Sequence, residues 1–431
     1  VIVDYSYFYW IGLVPVVWLY LRYRARRSAA VLAELEAATA QGLNEPPSLH
    51  PVVDLSRCIG SGGCAKACPE QALGIVSGKA VLIAGGACIG HGACAQACPM
   101  EAISLVFGTE KRGVDIPQVS PRFETNVPGL FIAGELGGMG LIRKAAEQGR
   151  QAMDHIKKRS DGSGELDVVI VGCGPAGLSA GLAAMQHRLR FKLLEQEDSL
   201  GGSVYHYPRN KIAMTAPVKL AIVGKMSFGE VQKERLLAFW QGVVEKTGLP
   251  ISFRERMEAI EPQGAGFVVK TSRGQYSARS VLLAIGRRGT PRKLGVPGEE
   301  SPKVVYRLVD PAQYDGQAVL VVGGGDSALE AAIALSERPG TEVVLSYRSA
   351  AFSRVKQKNR ERLDAQQQAG RLRVLLESQV QRIEPDQVQV QQHGESLTLR
   401  NNAVIVCAGG ELPTPLLQKM GVRFETKYGT A

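Results

Sequence analysis

Cysteine is nearly absent outside one short stretch: of the eight in 431 residues, six lie between Cys58 and Cys98. A disulfide framework belongs to short secreted chains, so this distribution points instead to metal or cluster ligation in a reducing compartment. Aromatic side chains make up only 6% of the chain. Only Tyr23 and Phe352 fall within the basic clusters at Arg22, Arg24, Arg26 and Arg27 and at 348–362, too few for a stacking platform, which argues against nucleic-acid binding despite a net charge of +10. Acidic lipid headgroups and phosphate-bearing cofactors account for that charge better.

Charge is missing altogether from Tyr5 to Leu21, a run with aromatics crowded at both ends and four arginines close behind it. That pattern suggests a short membrane-spanning helix with the N-terminus outside, and no positive charge precedes the run as it would in a cleaved leader. The expectation is a single-pass protein of the bacterial inner membrane, in contact with membrane lipid, its soluble domains facing the cytoplasm. A buried core helix, or an apolar strand pair broken at Pro15, is the alternative. Residues 28–42 have helical spacing and a glycine stop, and "LNEPPSLHP" reads as a linker.

The stretches "CIGSGGCAKACP" (58–69) and "CIGHGACAQACP" (88–99) repeat with a 30-residue period. Each carries the first, third and fourth cysteines and the proline of C-x2-C-x2-C-x3-C-P, with Ser61 or His91 where the second cysteine would stand. Residues 50–108 therefore resemble the dicluster bacterial ferredoxins. In that family the fourth cysteine crosses to the other cluster. The resemblance thus implies one site of Cys58, Cys64 and Cys98 with Ser61 at the open corner, and another of Cys88, Cys94 and Cys68 with His91 there. Three thiolates suit a [3Fe-4S] cluster; a [4Fe-4S] cluster with a serine or histidine ligand is the rival, and zinc the plainer alternative.

Two glycine fingerprints follow. In "LDVVIVGCGPAGLSAGLAAMQHRLRFKLLEQ", Gly172, Gly174 and Gly177 are spaced for a turn, a pyrophosphate and close helix packing, with Pro175 and Ala176 between. Glu195, ending the second strand, is placed for a ribose hydroxyl. In "QAVLVVGGGDSALEAAIALSERPGTEVVLSYR", Gly323, Gly325, Asp326, Ser327 and Ala328 repeat the construction, but its second strand ends without an acid. Arg348 and Arg354 can instead pair with a 2′-phosphate, which favours NADPH.

Residues 109–431 resemble the thioredoxin-reductase-like flavoproteins, including bacillithiol disulfide reductases and ferredoxin–NADP reductases of the same build. The carrying stretches are "LGGSVYHYPRNKIAMTAP", "VLLAIGRRGTP", "GGGDSALEAA", "VIVCAGGELPTPLL" and "TNVPGLFIAGELGGMG". The resemblance implies that Gly201, Gly202, Thr215, Ala284 and Gly286 line FAD, that Gly134 and Glu135 lie beside the flavin, and that a helix starting near Leu141 and Ile142 aims its N-terminus at the ring. It implies that Glu330 faces the nicotinamide amide, and that the protein is a homodimer. Two thiol features of that family are missing: the segment "VVYRLVDPAQYDGQA" has no C-x-x-C, and Ala176 stands where bacillithiol disulfide reductases have cysteine. Cys173 and Cys407 read as small buried residues.

The family's closing segment here precedes its opening fingerprint, so the sequence looks circularly permuted. The expected fold is α/β, with two Rossmann-like domains for FAD and NADPH, a small α+β dicluster ferredoxin domain and one N-terminal transmembrane helix. The expected order is anchor (1–24), spacer and linker (25–49), ferredoxin-like domain (50–108), closing segment (109–160), FAD domain (161–295), NADPH domain (296–402) and return to the FAD domain (403–431). The expected function is electron transfer from NADPH through FAD and two iron–sulfur clusters to a one-electron acceptor such as a quinone, cytochrome, ferredoxin or terminal reductase. A disulfide reductase with structural or regulatory clusters, or a redox sensor without turnover, is the alternative.

Overall fold

A computed structural model describes residues 6–40, 46, 49–88, 90, 92–110, 113–138, 140–207, 209, 211–287, 291–352 and 355–429. Contacts divide the chain into two compact units.

The first unit comprises residues 1–114 with 353–357 and 427–431. One helix, Ser6–Ala40, takes in residues 6–24 of the expected anchor and most of the expected spacer. No helix among the described residues is long and apolar enough to cross a membrane, which overturns the expected single-pass inner-membrane placement. The physical reason lies in the composition of the run. Four tyrosines, two tryptophans and Pro15 occupy much of Tyr5 to Leu21, and arginines begin at once beyond it. Too few aliphatic residues remain to fill a span of about 20. Farther along, the helix docks on the cysteine-bearing body, where the Ser77 N–H donates to Ser28 Oγ at 2.9 Å.

That body is built from two antiparallel strand pairs, His50–Val53 with Ile103–Val106 and Leu73–Val76 with Lys79–Leu82. Two short helices, Gly63–Ala67 and Ala93–Gln96, carry the third cysteine of each motif. The sequence repeat is also a backbone repeat. Gly60 and Gly62 have φ of 67° and 75°, Gly90 and Gly92 have 73° and 77°, and Gln71 and Glu101 match at 50° and 47°.

The second unit comprises residues 115–352 and 358–426 and is built on two larger sheets, the first mixed, with an antiparallel hairpin (Met257–Gln263, Gly266–Thr271) on its long strand, and the second parallel. In the first, the fingerprint strand Leu166–Val171 lies between Phe191–Leu194 and the long strand Gly274–Leu283. The far end of that long strand, Val281–Leu283, pairs in parallel with Leu130–Ile132 on its other side. The chain thus inserts a strand from before the fingerprint into the fingerprint's own sheet. These strands are apolar on both faces because helices cover both; Val168, Val169, Ile170, Val281, Leu282 and Leu283 are wholly buried. The second sheet has the order Val304–Val305, Ala403–Val406, Ala318–Val322, Glu342–Ser346, Leu372–Leu375, all parallel. A three-stranded antiparallel sheet, 378–400, packs its apolar side on it.

Two helices bring the early segment against the fingerprint. Ile142–Lys158 is strongly amphipathic and packs on Pro175–Gln186, burying Ala145, Ala146, Ala152, Met153 and Ile156. The approach is close enough that a Cβ at Gly149 would overlap the Ala176 carbonyl oxygen. Segment and C-terminus are also stitched together: Asn126 Nδ2 donates to the Gly421 carbonyl at 2.9 Å, and the Arg423 N–H donates to Asn126 Oδ1 at 2.8 Å.

Candidate active site and iron–sulfur sites

The six clustered cysteines line two separate cavities. Cys58, Cys64 and Cys98 share the first with Ser61, Gly60, Gly62 and Met100. Cys68, Cys88 and Cys94 share the second with Glu70, Gly90 and Gly92. This is the crossed arrangement that the ferredoxin resemblance implies. His91 lies outside the described residues. Among the described residues, no three His, Cys, Asp or Glu side chains gather closely enough to hold one ion; the thiols surround a volume.

All eight cysteines are free. Burial pushes the Cys64, Cys88 and Cys94 thiols up, Cys94 to about 11, and thiols of the same set add to the effect. Cluster assembly must therefore displace protons from these sulfurs. Backbone donors await the resulting thiolates: the Ala80 N–H points at Cys58 Sγ (3.4 Å), Ala72 at Cys68 (3.4 Å) and Ala102 at Cys98 (3.3 Å). A donor set of sulfurs with N–H partners around a cavity fits an iron–sulfur cluster.

In the second unit the first fingerprint forms a cradle. Pro175 opens the helix at its first turn, Gly174 precedes it, and a Cβ at Gly177 would overlap the Gly172 carbonyl oxygen. Gly202 lies across from Gly174, where its Cβ would stand 3.1 Å from the Gly174 Cα. Glu195 is buried; its Oε2 accepts from the Cys173 N–H at 2.7 Å and its Oε1 from the Glu197 N–H at 3.0 Å. Burial raises its carboxyl above the usual range, against the pull of those N–H donors. Thr215 Oγ1 is buried without a partner, a polar atom left for a ligand.

Residues from before the fingerprint complete this cradle. Gly134 ends the strand Leu130–Ile132 with φ 84°, and its N–H donates to Gln148 Oε1 at 2.8 Å. A Cβ on Gly134 would touch the Ala176 Cβ at 3.1 Å, and Glu135 Oε2 lies 3.9 Å from where one on Gly286 would stand. Leu141 is the N-cap of the helix that begins at Ile142, and Ala284 and Gly286 follow the end of the strand Gly274–Leu283. Sequence reasoning missed Gln148, which fixes Gly134. It also missed Arg287, whose burial lowers its pKa while Glu135 and Asp115 oppose that shift. The signal was present as "IGRRG", immediately after the flavin-lining stretch. The orphaned hydroxyl and the glycine cradle fit FAD.

The second fingerprint presents Gly325 at the N-cap of Asp326–Ser336, the helix bearing Ser327 and Ala328; a Cβ at Gly323 would meet the Cys407 carbonyl oxygen. Arg348 is exposed just past the second strand; Arg354 lies outside the described residues. At that strand's end, where an acid would favour NADH, buried Ser346 Oγ bonds Ser378 Oγ at 2.7 Å. The Tyr347 ring presses on Gly324 and stacks on Phe352, 5.3 Å between centroids and 9° between planes. Glu330 is held from two sides, by Lys211 Nζ (2.8 Å) and Asn359 Nδ2 (3.3 Å), and Asn359 also donates to Asp326 Oδ1 (2.8 Å). Neither Lys211 nor Asn359 was foreseen.

Thiols stand apart from this chemistry. Cys173 is 0% exposed, and burial drives its thiol far up, with Glu195 adding to it. Burial pushes Cys407 up to about 12. Neither is a nucleophile in this environment.

Comparison with known proteins agrees with this geometry. Residues 169–430 match the pyridine nucleotide-disulphide oxidoreductase family, and residues 50–99 match the 4Fe-4S dicluster domain. The chain is 34% identical to a ferredoxin–NADP reductase of Thermus thermophilus over 258 residues, 56% of this chain and 72% of that protein. It is 27% identical to the bacilliredoxin reductase Bdr of Bacillus subtilis, covering 61% of this chain and 82% of that one. The solved bacillithiol disulfide reductase Bdr from Bacillus cereus superposes with a TM-score of 0.53 at 25% identity, over 59% of this chain and 81% of its own. With 262 of its residues in the family match and a second cradle for the nucleotide, the chain belongs to the pyridine nucleotide-disulphide oxidoreductase family and is an NADPH-dependent FAD oxidoreductase that carries an iron–sulfur domain.

Proposed function

We propose that the protein passes electrons from NADPH through FAD and two iron–sulfur clusters to a one-electron acceptor. The observation that carries this reading is that two cysteine-lined cavities occur in the same chain as a flavin cradle that has no usable thiol. FAD, when bound, takes an electron pair as hydride and can release the electrons singly, which is the conversion a nicotinamide donor and an iron–sulfur acceptor need. The protein's own part is positional. Gly172, Gly174 and Gly177 admit the pyrophosphate, Glu195 holds the loop where the ribose lies, and Glu135 with Arg287 borders the ring. Glu330, steadied by Lys211 and Asn359, orients the nicotinamide amide.

Disulfide reduction is the weaker reading, because Ala176 replaces the thiol of that chemistry and Cys173 is sealed in the core. Steady-state assays separate the two. The account expects NADPH oxidation supported by an artificial one-electron dye and none supported by low-molecular-weight disulfides; the reverse result would favour the disulfide reductase.

Three thiolates in each cavity favour a [3Fe-4S] cluster in each, with Ser61 at the corner that lacks an iron in one and His91 in the other. The segment order is that of a circularly permuted family member. Residues 113–153 supply the closing strand and helix, the family match begins only at 169, and Asn126 bonds Gly421 as neighbours in an unpermuted chain would.

Arg348 and Arg354 supply the charge for a 2′-phosphate. Native protein should use NADPH well ahead of NADH, and Arg348→Ala should narrow the ratio of kcat/KM values by tenfold or more, as the loss of a charge-assisted bond of about 1.5–3 kcal/mol requires. Equal kcat/KM for both nucleotides in the native protein would rule out this assignment.

A further inference from the structure

Because the two cysteine motifs share one backbone, their differences in charge can be compared position by position. Cys58, Cys64, Cys68, Pro69 and Glu70 correspond to Cys88, Cys94, Cys98, Pro99 and Met100. The fourth cysteine of each motif crosses over, so the residue that follows its proline crosses with it. Met100 therefore lines the cavity of Cys58, Cys64 and Cys98, and Glu70 lines the cavity of Cys68, Cys88 and Cys94.

We propose that the two iron–sulfur sites are unequal electron acceptors, the Cys58, Cys64 and Cys98 site being the stronger because an apolar Met100 borders it where the Glu70 carboxylate borders the other. The inference rests on the cluster reading given above, with the same cluster type in both sites. Reduction adds negative charge to a cluster, so a nearby carboxylate opposes it, and cations or N–H donors assist it.

Several groups around the first site act in the same direction. Cys58 Sγ receives the Ala80 N–H at 3.4 Å; Cys88 Sγ faces the Leu49 carbonyl oxygen at 3.8 Å, which the Gly90 N–H offsets in part. Lys79 Nζ sits on the Cys58 carbonyl at 2.7 Å, bringing a cation to the first site. Arg57 precedes Cys58 where Ala87 precedes Cys88, and Lys66 stands where the second motif has Gln96, but both are exposed and line neither cavity, so water screens them and they count for little. Three groups act the other way. Asp54 stands four residues before Cys58 where Ala84 precedes Cys88, and its Oδ1 accepts from the Arg57 N–H at 3.4 Å, but it is exposed. Lys356 Nζ lies 3.4 Å from Glu70 Oε1 and offsets part of its charge, but the Lys356 side chain is 35% exposed against 16% for Glu70, so water screens the cation more than the carboxylate. Glu101 follows Met100 but is exposed and lines neither cavity. The balance leaves the second site the more electronegative. An electron delivered to the pair settles on the first site; that transfer moves one electron, with no bond or proton changed.

Redox titration of the full chain, purified anaerobically and followed by EPR, tests this. Two midpoint potentials are expected. Glu70→Gln should raise only the lower, by about tenfold in the reduction equilibrium, which is about 59 mV for a one-electron couple. Met100→Glu should lower only the higher. A single shared midpoint, or a Glu70→Gln effect on the higher potential or on neither, overturns the inference while leaving the clusters in place. A protein that binds no iron and gives no cluster signal in any variant instead overturns the cluster reading, and the inference falls with it.

Discussion

Gly149→Ala should yield a chain that loses its flavin during purification. The substitution lies in the helix Ile142–Lys158, which precedes the fingerprint in the chain and is packed against it in the fold. Alanine would gain about 1 kcal/mol of helix propensity over glycine. Against that, the new Cβ overlaps a backbone carbonyl, that of Ala176 inside the fingerprint loop, which no rotamer change can relieve. Overpacking costs about 1–3 kcal/mol and occasionally more; with the new Cβ 2.0 Å from a backbone oxygen this case falls at the upper end, so the clash wins. It also displaces the turn that receives the pyrophosphate. Gly242→Ala is the control: it lies in the helix Lys233–Thr247 with nothing within 4 Å of the new Cβ, and should raise stability by about 1 kcal/mol. Bound flavin per chain and thermal unfolding of the two variants decide the matter. If Gly149→Ala retains FAD as the control does, the early helix does not close the flavin site.

Ser61→Cys should add one iron to the protein and change one cluster only. Cys58, Cys64 and Cys98 already surround the cavity that Ser61 borders, and a fourth thiolate completes the four-cysteine set of a [4Fe-4S] cluster. Native protein, with three irons at each site, should show the EPR signal of an oxidised three-iron cluster. The variant should lose that signal from one site while the other keeps it. His91→Cys should do the same for the second set. Native protein with about eight irons per chain and no oxidised signal would instead mean that serine and histidine act as ligands. That result would leave electron transfer itself intact.

The parts of the site that follow from local rules were legible in the sequence. Glycine spacing and a terminal acid placed Gly172, Gly174, Gly177 and Glu195, because a tight turn beside a pyrophosphate admits few residue types. The ferredoxin resemblance likewise implied the two crossed sets of cysteines that line the two cavities. What stayed hidden depends on contacts between distant residues. Lys211 and Glu330 are 119 positions apart, and Gln148 fixes Gly134 from a different element; no spacing rule joins them. The N-terminal helix failed for another reason. Its charge-free length invited a membrane reading, while the tyrosines, tryptophans and arginines that deny it enough apolar surface were in plain view. Weighing side-chain character as well as charge would have corrected it. The contrast of Glu70 with Met100 was visible once the motifs were aligned, but it acquired meaning only when the structure showed which cavity each residue lines.

Anaerobic titration of the full-length protein with NADPH, followed by flavin absorbance and cluster EPR together, tests the central claim most directly. The flavin should bleach and the cluster signals should change without any mediator, with the chain taking up more electrons than a flavin alone can hold. Uptake that stops at the flavin's capacity, with cluster spectra unchanged until a mediating dye is added, would contradict an electron path from NADPH through FAD to the iron–sulfur sites.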